Sequence, residues 1–324
     1  MLVGFRTTQA LYVAAKLGIA DHLVSGPLDS NELARRVRVH PRALFRVMRA
    51  LAALGVFTQD SSGRFGLTAI GELLRTDSHE SLRYSAIAIG EEQYRAAGEL
   101  FHTVRTGETA FNHLYGKGHF EYLAEHPEAS KIFNAYMSEG LRRYGNRMES
   151  YDFKDRHFVV DVGGGRGDLI ASVLRANPAL EGILYDLPQG VAEAADYLES
   201  QGVANRCQIM TGSAFDSIPA GGDAYVMSRV LHDWPDEKAA VLLSNCRKAI
   251  AKGGTLLIRE NVLPEDDTPS MGKQLDLTML YMLGGAERTE AEWRNLLQAS
   301  GFSLTRILKT KSPFDIIEAA PSEL

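Results

Sequence analysis

The sequence contains very little cysteine. Cys207 and Cys246 are the two cysteines among 324 residues, too few for the disulfide framework of a small secreted protein or for a cysteine-rich zinc site. We interpret both as small buried hydrophobic side chains, because that is the usual environment of a free cysteine. This cysteine usage favours a protein of the reducing cytoplasm.

Long apolar runs are absent as well. No stretch reaches the roughly 20 residues that a helix needs to span a bilayer. The apolar start "MLVGFRTTQALYVAAKLGIADHL" has neither a basic leader nor a small-residue cleavage site. We therefore expect no membrane partner, and we interpret this start as a helix of the folded protein.

A large excess of positive charge is also missing. The formal net charge is −6, and residues 151–324 carry 17 Lys and Arg against 25 Asp and Glu. This balance argues against a nucleic-acid partner. Residues 1–75 are locally basic, with Arg42, Arg46 and Arg49 on one face of a predicted helix. DNA binding by this segment is an alternative, but a charged outer helix face explains the pattern more simply.

The first 75 residues favour helices followed by a hairpin. Apolar residues recur at helical spacing over 5–24, and Asp29 with Glu32 has the spacing of a capping box at the start of a second helix. A third helix over 41–55 begins with Pro and ends with Gly. Two short strands around a Ser-Gly turn follow at 56–68, and this order is typical of a winged helix.

The pattern changes in the second half of the chain. Residues 80–150 are predicted to be helical, with a glycine-bearing break at 115–120. From residue 158 onward, strands alternate with helices, which is typical of a parallel sheet with crossover helices.

A glycine cluster follows the first of these strands, in "FVVDVGGGRGDLI" (158–170). The pattern D-x-G-x-G-x-G starts at Asp161 and includes Gly163 and Gly165. It lacks the third glycine of a dinucleotide fingerprint and the G-K-[ST] of a P-loop. Asp186 ends the next predicted strand, 21 residues after Gly165, where an acid can accept hydrogen bonds from a ribose diol. The pair indicates a site for a nucleoside-containing ligand.

A histidine lies at the same predicted sheet edge. We expect a strand to end near Leu231, which places His232 just past its carboxyl end, where open α/β sheets bind ligands. A neutral imidazole can remove a proton near neutral pH. Glu260 and Glu287 follow later in the chain, and either carboxylate could hold the other imidazole nitrogen.

Several motifs occur together in a fixed order: "DVGGGRG", "LYDLP", "VLHDWPDE", "RENVLP" and "GGAERTEAEWRNLLQASGF". With "RALFRVMRALAALGVF" near the start, they make essentially the whole chain resemble the S-adenosylmethionine-dependent O-methyltransferases of the caffeic acid and hydroxyindole type, which include bacterial enzymes that modify aromatic natural products. The resemblance implies an α/β fold, with a Rossmann-like class I methyltransferase domain and an N-terminal winged-helix dimerisation domain that is all helical apart from the hairpin.

The resemblance also implies the organisation and the reaction. Residues 1–90 would form the dimerisation domain of a homodimer, and residues 91–324 the methyltransferase domain, in which 91–150 is a helical connector that contributes to the acceptor pocket. The enzyme would transfer a methyl group from S-adenosylmethionine to a hydroxyl of a small aromatic acceptor and release S-adenosylhomocysteine. No metal ion is expected to be needed, and the location is expected to be cytoplasmic.

The family's functional residues fall on matching motif positions. The base falls on His232, its flanking acids on Glu260 and Glu287, the ribose-binding acid on Asp186, and an acid near the methionine end of the cofactor on Asp233. The remaining predicted cofactor-binding residues are Asp161, Gly163, Gly165, Leu187, Ser213, Ala214, Phe215, Ser228 and Arg229. The predicted acceptor-binding residues are Phe133, Asn134, Met137, Met279 and Met282, for each of which ordinary core packing is the alternative.

The sequence departs from the plant members of this family at two positions. Ser213 stands where they usually have an Asp facing adenine, and Ser228, followed by Arg229, stands where they have a Lys that meets the cofactor carboxylate. The N-terminal segment is also short for the family, which is expected to trim the dimer interface. A member that binds the cofactor but acts as a decarboxylase or hydroxylase is a further alternative, and the presence of His232 and both glutamates argues against it.

Overall fold

The structure is a computed structural model that describes residues 2–144, 148 and 151–322. Up to residue 144 its elements are α1 (Gly4–Lys16), α2 (Ile19–His22), α3 (Ser30–Val37), α4 (Pro41–Ala53), β1 (Phe57–Gln59), β2 (Phe65–Leu67), α5 (Ala69–Glu72), α6 (Arg83–Ala88), a π-helical turn (Ile89–Gln93), α7 (Tyr94–Gly98), α8 (Leu100–Thr106), α9 (Ala110–Tyr115), α10 (His119–Glu125) and α11 (Pro127–Tyr144).

From residue 151 the elements alternate between strands and helices. They are β3 (Phe158–Val162), α12 (Asp168–Ala176), β4 (Glu181–Asp186), α13 (Ala194–Ser200), β5 (Cys207–Thr211), β6 (Ala224–Ser228), α14 (Asp236–Ala249), β7 (Thr255–Glu260), β8 (Val262–Leu263), α15 (Met271–Met282), β9 (Arg288–Thr289), α16 (Glu290–Ala299), β10 (Phe302–Leu308) and β11 (Asp315–Pro321). Among the described helices, none is long and apolar enough to cross a membrane.

The chain forms two compact units, each made of two segments. The first unit contains 1–98 and 127–143, and the second contains 99–126 and 144–324. The contacts thus divide the chain at three points, whereas the sequence suggested one boundary at residue 90. That functional boundary, and the contribution of 91–150 to the acceptor pocket, stay predictions.

The first unit contains the predicted helices and hairpin, with two differences in detail. Residues 5–24 form two helices, because Gly18 adopts a left-handed conformation (φ 63°) between α1 and α2. Asp29 caps α3 by accepting hydrogen bonds from the amides of Asn31 and Glu32. The predicted capping box is half formed, since the Glu32 side chain pairs with the arginines that follow it in α3. The hairpin of β1 and β2 is antiparallel, as expected.

A mostly parallel seven-stranded sheet organises the described part of the second unit. Its order is β10-β11-β7-β6-β3-β4-β5, with β10 and β11 antiparallel to their neighbours. The chain first builds outward from β3 to β4 and β5, and then returns to add β6 and β7 on the other side of β3. The strand order therefore reverses between β3 and β6, the point where open α/β sheets bind ligands.

Alternating strand residues build a core on each face of this sheet. In β3, Val160 and Val162 pack with α14 and α16, whereas Val159 packs with α12 and α13 on the opposite face. This two-residue alternation follows from the geometry of a strand. Both cysteines are buried and free, and burial raises the pKa of the Cys207 thiol to about 12. The prediction of two small buried cysteine side chains is confirmed.

Candidate active site

The glycine turn lies directly after β3, at the reversal point of the sheet. Gly163, Gly165 and Gly167 have φ values of 72°, 58° and 92°, in the left-handed region that favours glycine. A side chain on Gly164 would overlap the carboxylate of Asp161 and the side chain of Leu184, whereas the space beside Gly165 is open. The turn therefore packs tightly on its protein side and leaves room at Gly165 for a ligand to approach the backbone.

Asp186 ends β4 and faces this turn. Its Oδ2 accepts a hydrogen bond from the Gly165 amide (2.7 Å), and its Oδ1 accepts one from the Leu187 amide (2.6 Å). Each carboxylate oxygen has a second acceptor position, so two hydroxyl groups of a ribose can still bind. Burial raises the pKa of Asp186. The carboxylate is thus held in place by the backbone of the glycine turn.

Asp161 occupies a different position from the other predicted cofactor residues. It lies within β3 with its side chain fully buried, and its Oδ2 has no hydrogen-bond partner among the described residues. Burial, together with the charge of Asp186, raises the pKa of Asp161 to about 7. This carboxyl group lies beneath the glycine turn, where it supports the turn from the protein side.

Ser213, Ala214 and Phe215 follow β5 in a turn at the same sheet edge. The Ser213 hydroxyl accepts a hydrogen bond from the Phe215 amide (3.2 Å). Asn245 of α14 donates to the carbonyls of Ala214 (3.0 Å) and Phe215 (2.8 Å). The Phe215 ring meets the Trp234 ring edge-on at 4.8 Å. The predicted adenine-side loop is therefore braced by Asn245 and Trp234, neither of which was predicted from the sequence.

Ser228 and Arg229 mark the end of β6. The strand ends at Ser228, three residues earlier than expected, because Arg229 adopts a positive φ of 58° that no strand can continue. The Ser228 hydroxyl accepts a hydrogen bond from buried Arg259 (3.3 Å). The guanidinium groups of Arg229 and Arg259 lie 5.3 and 4.6 Å from the Phe314 ring. Two cationic side chains thus stand close to the position where plant members carry a lysine.

His232 lies in a single 3₁₀ turn, Leu231–Asp233, between β6 and α14. Its side chain is 2% exposed, and its Nδ1 lies 2.6 Å from Glu287 Oε1 and 3.5 Å from Glu260 Oε2. Its Nε2 lies 3.3 Å from Asp233 Oδ1. The structure therefore brings His232 together with Glu260 and Glu287, the two acids predicted to flank it. It also brings Asp233 close, although that acid was predicted to lie near the methionine end of the cofactor.

The two glutamates hold different parts of this turn. Glu260 Oε1 accepts hydrogen bonds from the amides of Val230 (3.0 Å), Leu231 (3.1 Å) and His232 (3.3 Å), so it fixes the backbone. Glu287 binds the imidazole itself. The sequence alone leaves open which acid holds the ring, and the distances favour Glu287.

Burial sets the protonation of these acids. It raises the pKa of Glu260, and it raises the pKa values of Asp233 and Glu287 to about 7. The nearby Arg229 guanidinium opposes the rise at all three. A histidine between Asp233 and Glu287, whose carboxyl groups ionise close to neutral pH, is suited to exchanging a proton.

One possible ligand atom from each of His232, Glu260 and Glu287 lies within 4.8 Å of the other two, close enough for a metal ion. A hydrogen bond explains the 2.6 Å contact between Nδ1 and Glu287 without a metal ion. His102, Glu108 and His113 form a second, more exposed group with similar spacing, in which the two imidazole rings stack at 3.8 Å. Stacked rings direct their nitrogen lone pairs side by side, which suits a common ion poorly.

The predicted acceptor residues fall in both compact units. Phe133, Asn134 and Met137 are half-buried on α11, in the first unit, and Met279 and Met282 are buried on α15, in the second. Their shared role in one pocket stays a prediction.

The geometry defines a class of protein: an α/β fold whose sheet edge carries a glycine turn with an anchored carboxylate and, at the next strand end, an acid-flanked histidine. The comparisons show that the chain belongs to the O-methyltransferase family, because the O-methyltransferase domain model matches residues 98–303 and the O-methyltransferase dimerisation domain model matches residues 1–77. The chain is an S-adenosylmethionine-dependent O-methyltransferase. The winged-helix label for the N-terminal unit stays a prediction.

Three similar proteins illustrate the match. A phenazine O-methyltransferase of Lysobacter antibioticus is 44% identical, over 99% of this chain and 94% of its own length. The structure of NcsB1, an O-methyltransferase from neocarzinostatin biosynthesis solved with S-adenosylmethionine and 2-hydroxy-5-methyl naphthoic acid, has a TM-score of 0.88 at 35% identity, covering 98% of this chain and 96% of that one. Human N-acetylserotonin methyltransferase with S-adenosylmethionine has a TM-score of 0.89 at 26% identity, covering 99% and 95%.

The described residues fit this cofactor. The open backbone position at Gly165, the anchored carboxylate of Asp186 and the braced loop 213–215 lie at the carboxyl ends of three adjacent parallel strands. A nucleoside can therefore bind with its ribose at Asp186. Neither the DNA-binding nor the decarboxylase or hydroxylase alternative gains support from the comparisons.

Proposed function

We propose that this enzyme methylates a hydroxyl group on a small, fused aromatic natural-product intermediate, with His232 as the general base. The observation that carries the proposal is the 2.6 Å contact between His232 Nδ1 and Glu287 at the sheet edge that also holds the glycine turn. The names of the phenazine and naphthoate relatives support a planar acceptor of two or three fused rings.

The hydroxyl must lose a proton to become a good nucleophile. A phenol with an ordinary pKa of about 10 is mostly protonated at neutral pH. In the reactive state Nδ1 donates its hydrogen to Glu287, which leaves the lone pair of Nε2 to accept the proton of the acceptor. The Glu287 carboxylate then stabilises the imidazolium. Such general base catalysis contributes about 10²–10⁴-fold to the rate.

S-Adenosylmethionine, when bound, supplies an electrophilic methyl group on a sulfonium. The protein's task is to align the acceptor oxygen with that methyl group while His232 takes the proton. The rigid turn fixed by Glu260 keeps the imidazole in place during this step, since three backbone amides are bonded to one carboxylate oxygen.

Asp233 must change partner during the reaction. Its Oδ1 lies 3.3 Å from Nε2 of His232, the nitrogen that the acceptor hydroxyl needs. The raised pKa of Asp233, about 7, keeps part of this group protonated near neutral pH. We infer that the acceptor hydroxyl replaces Asp233 at Nε2, which frees Asp233 for the role near the methionine end of the cofactor that its motif position implies.

The same proposal covers assembly and location. The dimerisation domain match over residues 1–77 supports a homodimer, and two-fold dimers are the commonest soluble assembly. The two free buried cysteines support a cytoplasmic location.

Transfer of a labelled methyl group tests the proposed reaction. The purified protein is incubated with methyl-labelled S-adenosylmethionine and a hydroxyphenazine, with 1,4-dihydroxy-2-naphthoic acid as a second acceptor. The matched control is the same phenazine with its hydroxyl already methylated. Label in the hydroxylated acceptors and none in the blocked control is the expected result. Equal labelling of the blocked control would show transfer to another atom and overturn O-methylation.

A further inference from the structure

We propose that Arg288 is a positioning residue for the general base, because its hydrogen bonds join the turn that carries His232 to the segment that carries Glu287. This inference rests on the proposed role of His232. It assigns a function to a charged side chain that is 2% exposed and lies outside the predicted site.

Two hydrogen bonds of the Arg288 guanidinium go to the backbone around His232. Its Nη1 donates to the Leu231 carbonyl (3.2 Å) and its Nη2 donates to the Trp234 carbonyl (2.9 Å). These two carbonyls bracket His232 along the chain. The backbone on both sides of the base is therefore bonded to one rigid, planar group.

The other bonds reach the glutamate segment and α14. Arg288 Nη1 also donates to the Ala286 carbonyl (3.1 Å), next to Glu287. Its Nη2 and Nε donate to Asp236 Oδ1 at 2.7 and 2.9 Å, at the start of α14. A side chain on Gly285 would overlap the backbone of His232 and Asp233, so the two segments touch directly.

Arginine is required here because of its shape. Its N–H groups form a fixed fork, and at Arg288 this fork bonds three carbonyls and one carboxylate. A lysine ammonium is a compact charge with three N–H donors, too few to bond all four acceptors at once. A buried cation is tolerated when its donors are bonded, and here most of the bonds go to backbone carbonyls whose positions determine where His232 and Glu287 stand.

The consequence for catalysis is geometric. The 2.6 Å hydrogen bond between Nδ1 and Glu287 Oε1 joins two segments that are 55 residues apart in sequence. Hydrogen bonds weaken steeply as distance and angle depart from their optimum, and reacting groups misplaced by about 1 Å can cost roughly 10²-fold in rate. Loosening these bonds should lower kcat more than cofactor affinity, because Asp233 is the one predicted cofactor residue that lies in the Leu231–Asp233 turn.

The test compares Arg288→Lys with Arg206→Lys in the full-length enzyme. Arg206 is a matched control, since its guanidinium also binds three backbone carbonyls, those of Asn177, Leu180 and Leu174, away from the His232 turn. The readouts are Tm, calorimetric affinity for S-adenosylmethionine, kcat and KM on a hydroxyphenazine, and the imidazole proton signal of His232 in ¹⁵N-histidine-labelled protein, assigned with His232→Ala.

The 2.6 Å contact predicts a strongly deshielded Nδ1 proton signal in the wild type. We expect Arg288→Lys to weaken this signal and to lower kcat by about 10- to 100-fold, with cofactor affinity within about 2-fold of wild type. Arg206→Lys should lower Tm comparably and leave kcat and the signal unchanged. If Arg288→Lys does not fold, Asp236→Ala serves instead, because the exposed Asp236 side chain supplies one of the four acceptors; it should lower kcat and weaken the signal in the same direction.

An unchanged Nδ1 signal and kcat in the folded Arg288 or Asp236 variant would overturn the inference, as would an equal loss of kcat in Arg206→Lys. Failure of the proposed function looks different. In that case His232→Ala keeps wild-type turnover, while the Nδ1 signal in Arg288→Lys is still weaker than in the wild type.

Discussion

Replacement of Asp161 by asparagine should flatten the pH dependence of stability. Burial and the neighbouring Asp186 charge raise the pKa of Asp161 from 3.8 to about 7. The folded protein therefore binds this proton more tightly than the unfolded chain does. The stabilising effect of the proton is complete at acid pH, below the unfolded value, and is lost as the pH rises through 7.

The size of the effect follows from the proton affinities. A tenfold change in proton affinity is worth about 1.4 kcal/mol. The whole loss in the free energy of unfolding therefore approaches about 4 kcal/mol, of which about 3 kcal/mol falls between pH 5 and pH 8. With an unfolding entropy of about 2.1 cal/mol/K per residue, about 3 kcal/mol corresponds to roughly 4 °C in Tm for a chain of this length. Asparagine keeps an oxygen that can accept the hydrogen bond from the Ile170 amide.

The assay is thermal unfolding of the cofactor-free protein, followed by circular dichroism from pH 5 to pH 8. Subtracting the Asp161→Asn curve of Tm against pH from the wild-type curve leaves the contribution of Asp161. The contributions of Asp233 and Glu287, which titrate in the same range, cancel. Asp152→Asn is the control, because the pKa of this exposed carboxylate is lowered, and it stays ionised throughout. Parallel wild-type and Asp161→Asn curves over this range would refute the argument.

Three further predictions concern the cofactor, the imidazole and the assembly. Asp186→Ala should weaken S-adenosylmethionine binding by about 10-fold or more in calorimetry, because a lost buried acceptor costs about 1–3 kcal/mol. Binding of NAD in place of S-adenosylmethionine by the wild type would contradict the assignment of this site to S-adenosylmethionine. Glu287→Gln should lower kcat more than Glu260→Gln, since a glutamine oxygen at 260 can still accept from the three amides; the reverse order in steady-state assays would show that Glu260 is the acid that supports the ring. Sedimentation of the full chain at micromolar concentration should give a dimer, and a monomer would count against assembly through the N-terminal unit.

The strand and helix order could be predicted because it depends on local periodicity. The alternation of apolar residues in β3 and the glycines that follow it define a strand and a turn without knowledge of the rest of the chain. The sequence could not predict that β6 ends at Ser228. The break comes from the positive φ of Arg229, a conformation that glycine or asparagine would have signalled but arginine does not.

The site was predictable as a set of residues but not as a set of bonds. His232, Glu260 and Glu287 could be selected from their motifs, yet their division of roles depends on distances of 2.6 and 3.5 Å that no spacing encodes. Arg288 was missed because its main partners are backbone carbonyls, which every residue has and which leave no pattern in the sequence.

The dependence of transfer rate on acceptor acidity tests the role of His232 most directly. Wild type and His232→Ala are compared on a series of hydroxylated aromatic acceptors whose pKa values differ, at fixed pH and saturating S-adenosylmethionine. General base catalysis predicts a loss of about 10²-fold or more for a phenol of ordinary pKa. The loss should shrink steadily as the acceptor becomes acidic enough to ionise unaided, while calorimetry shows unchanged cofactor binding. Wild-type turnover by His232→Ala on the least acidic phenol would contradict the mechanism and leave His232 with a structural role.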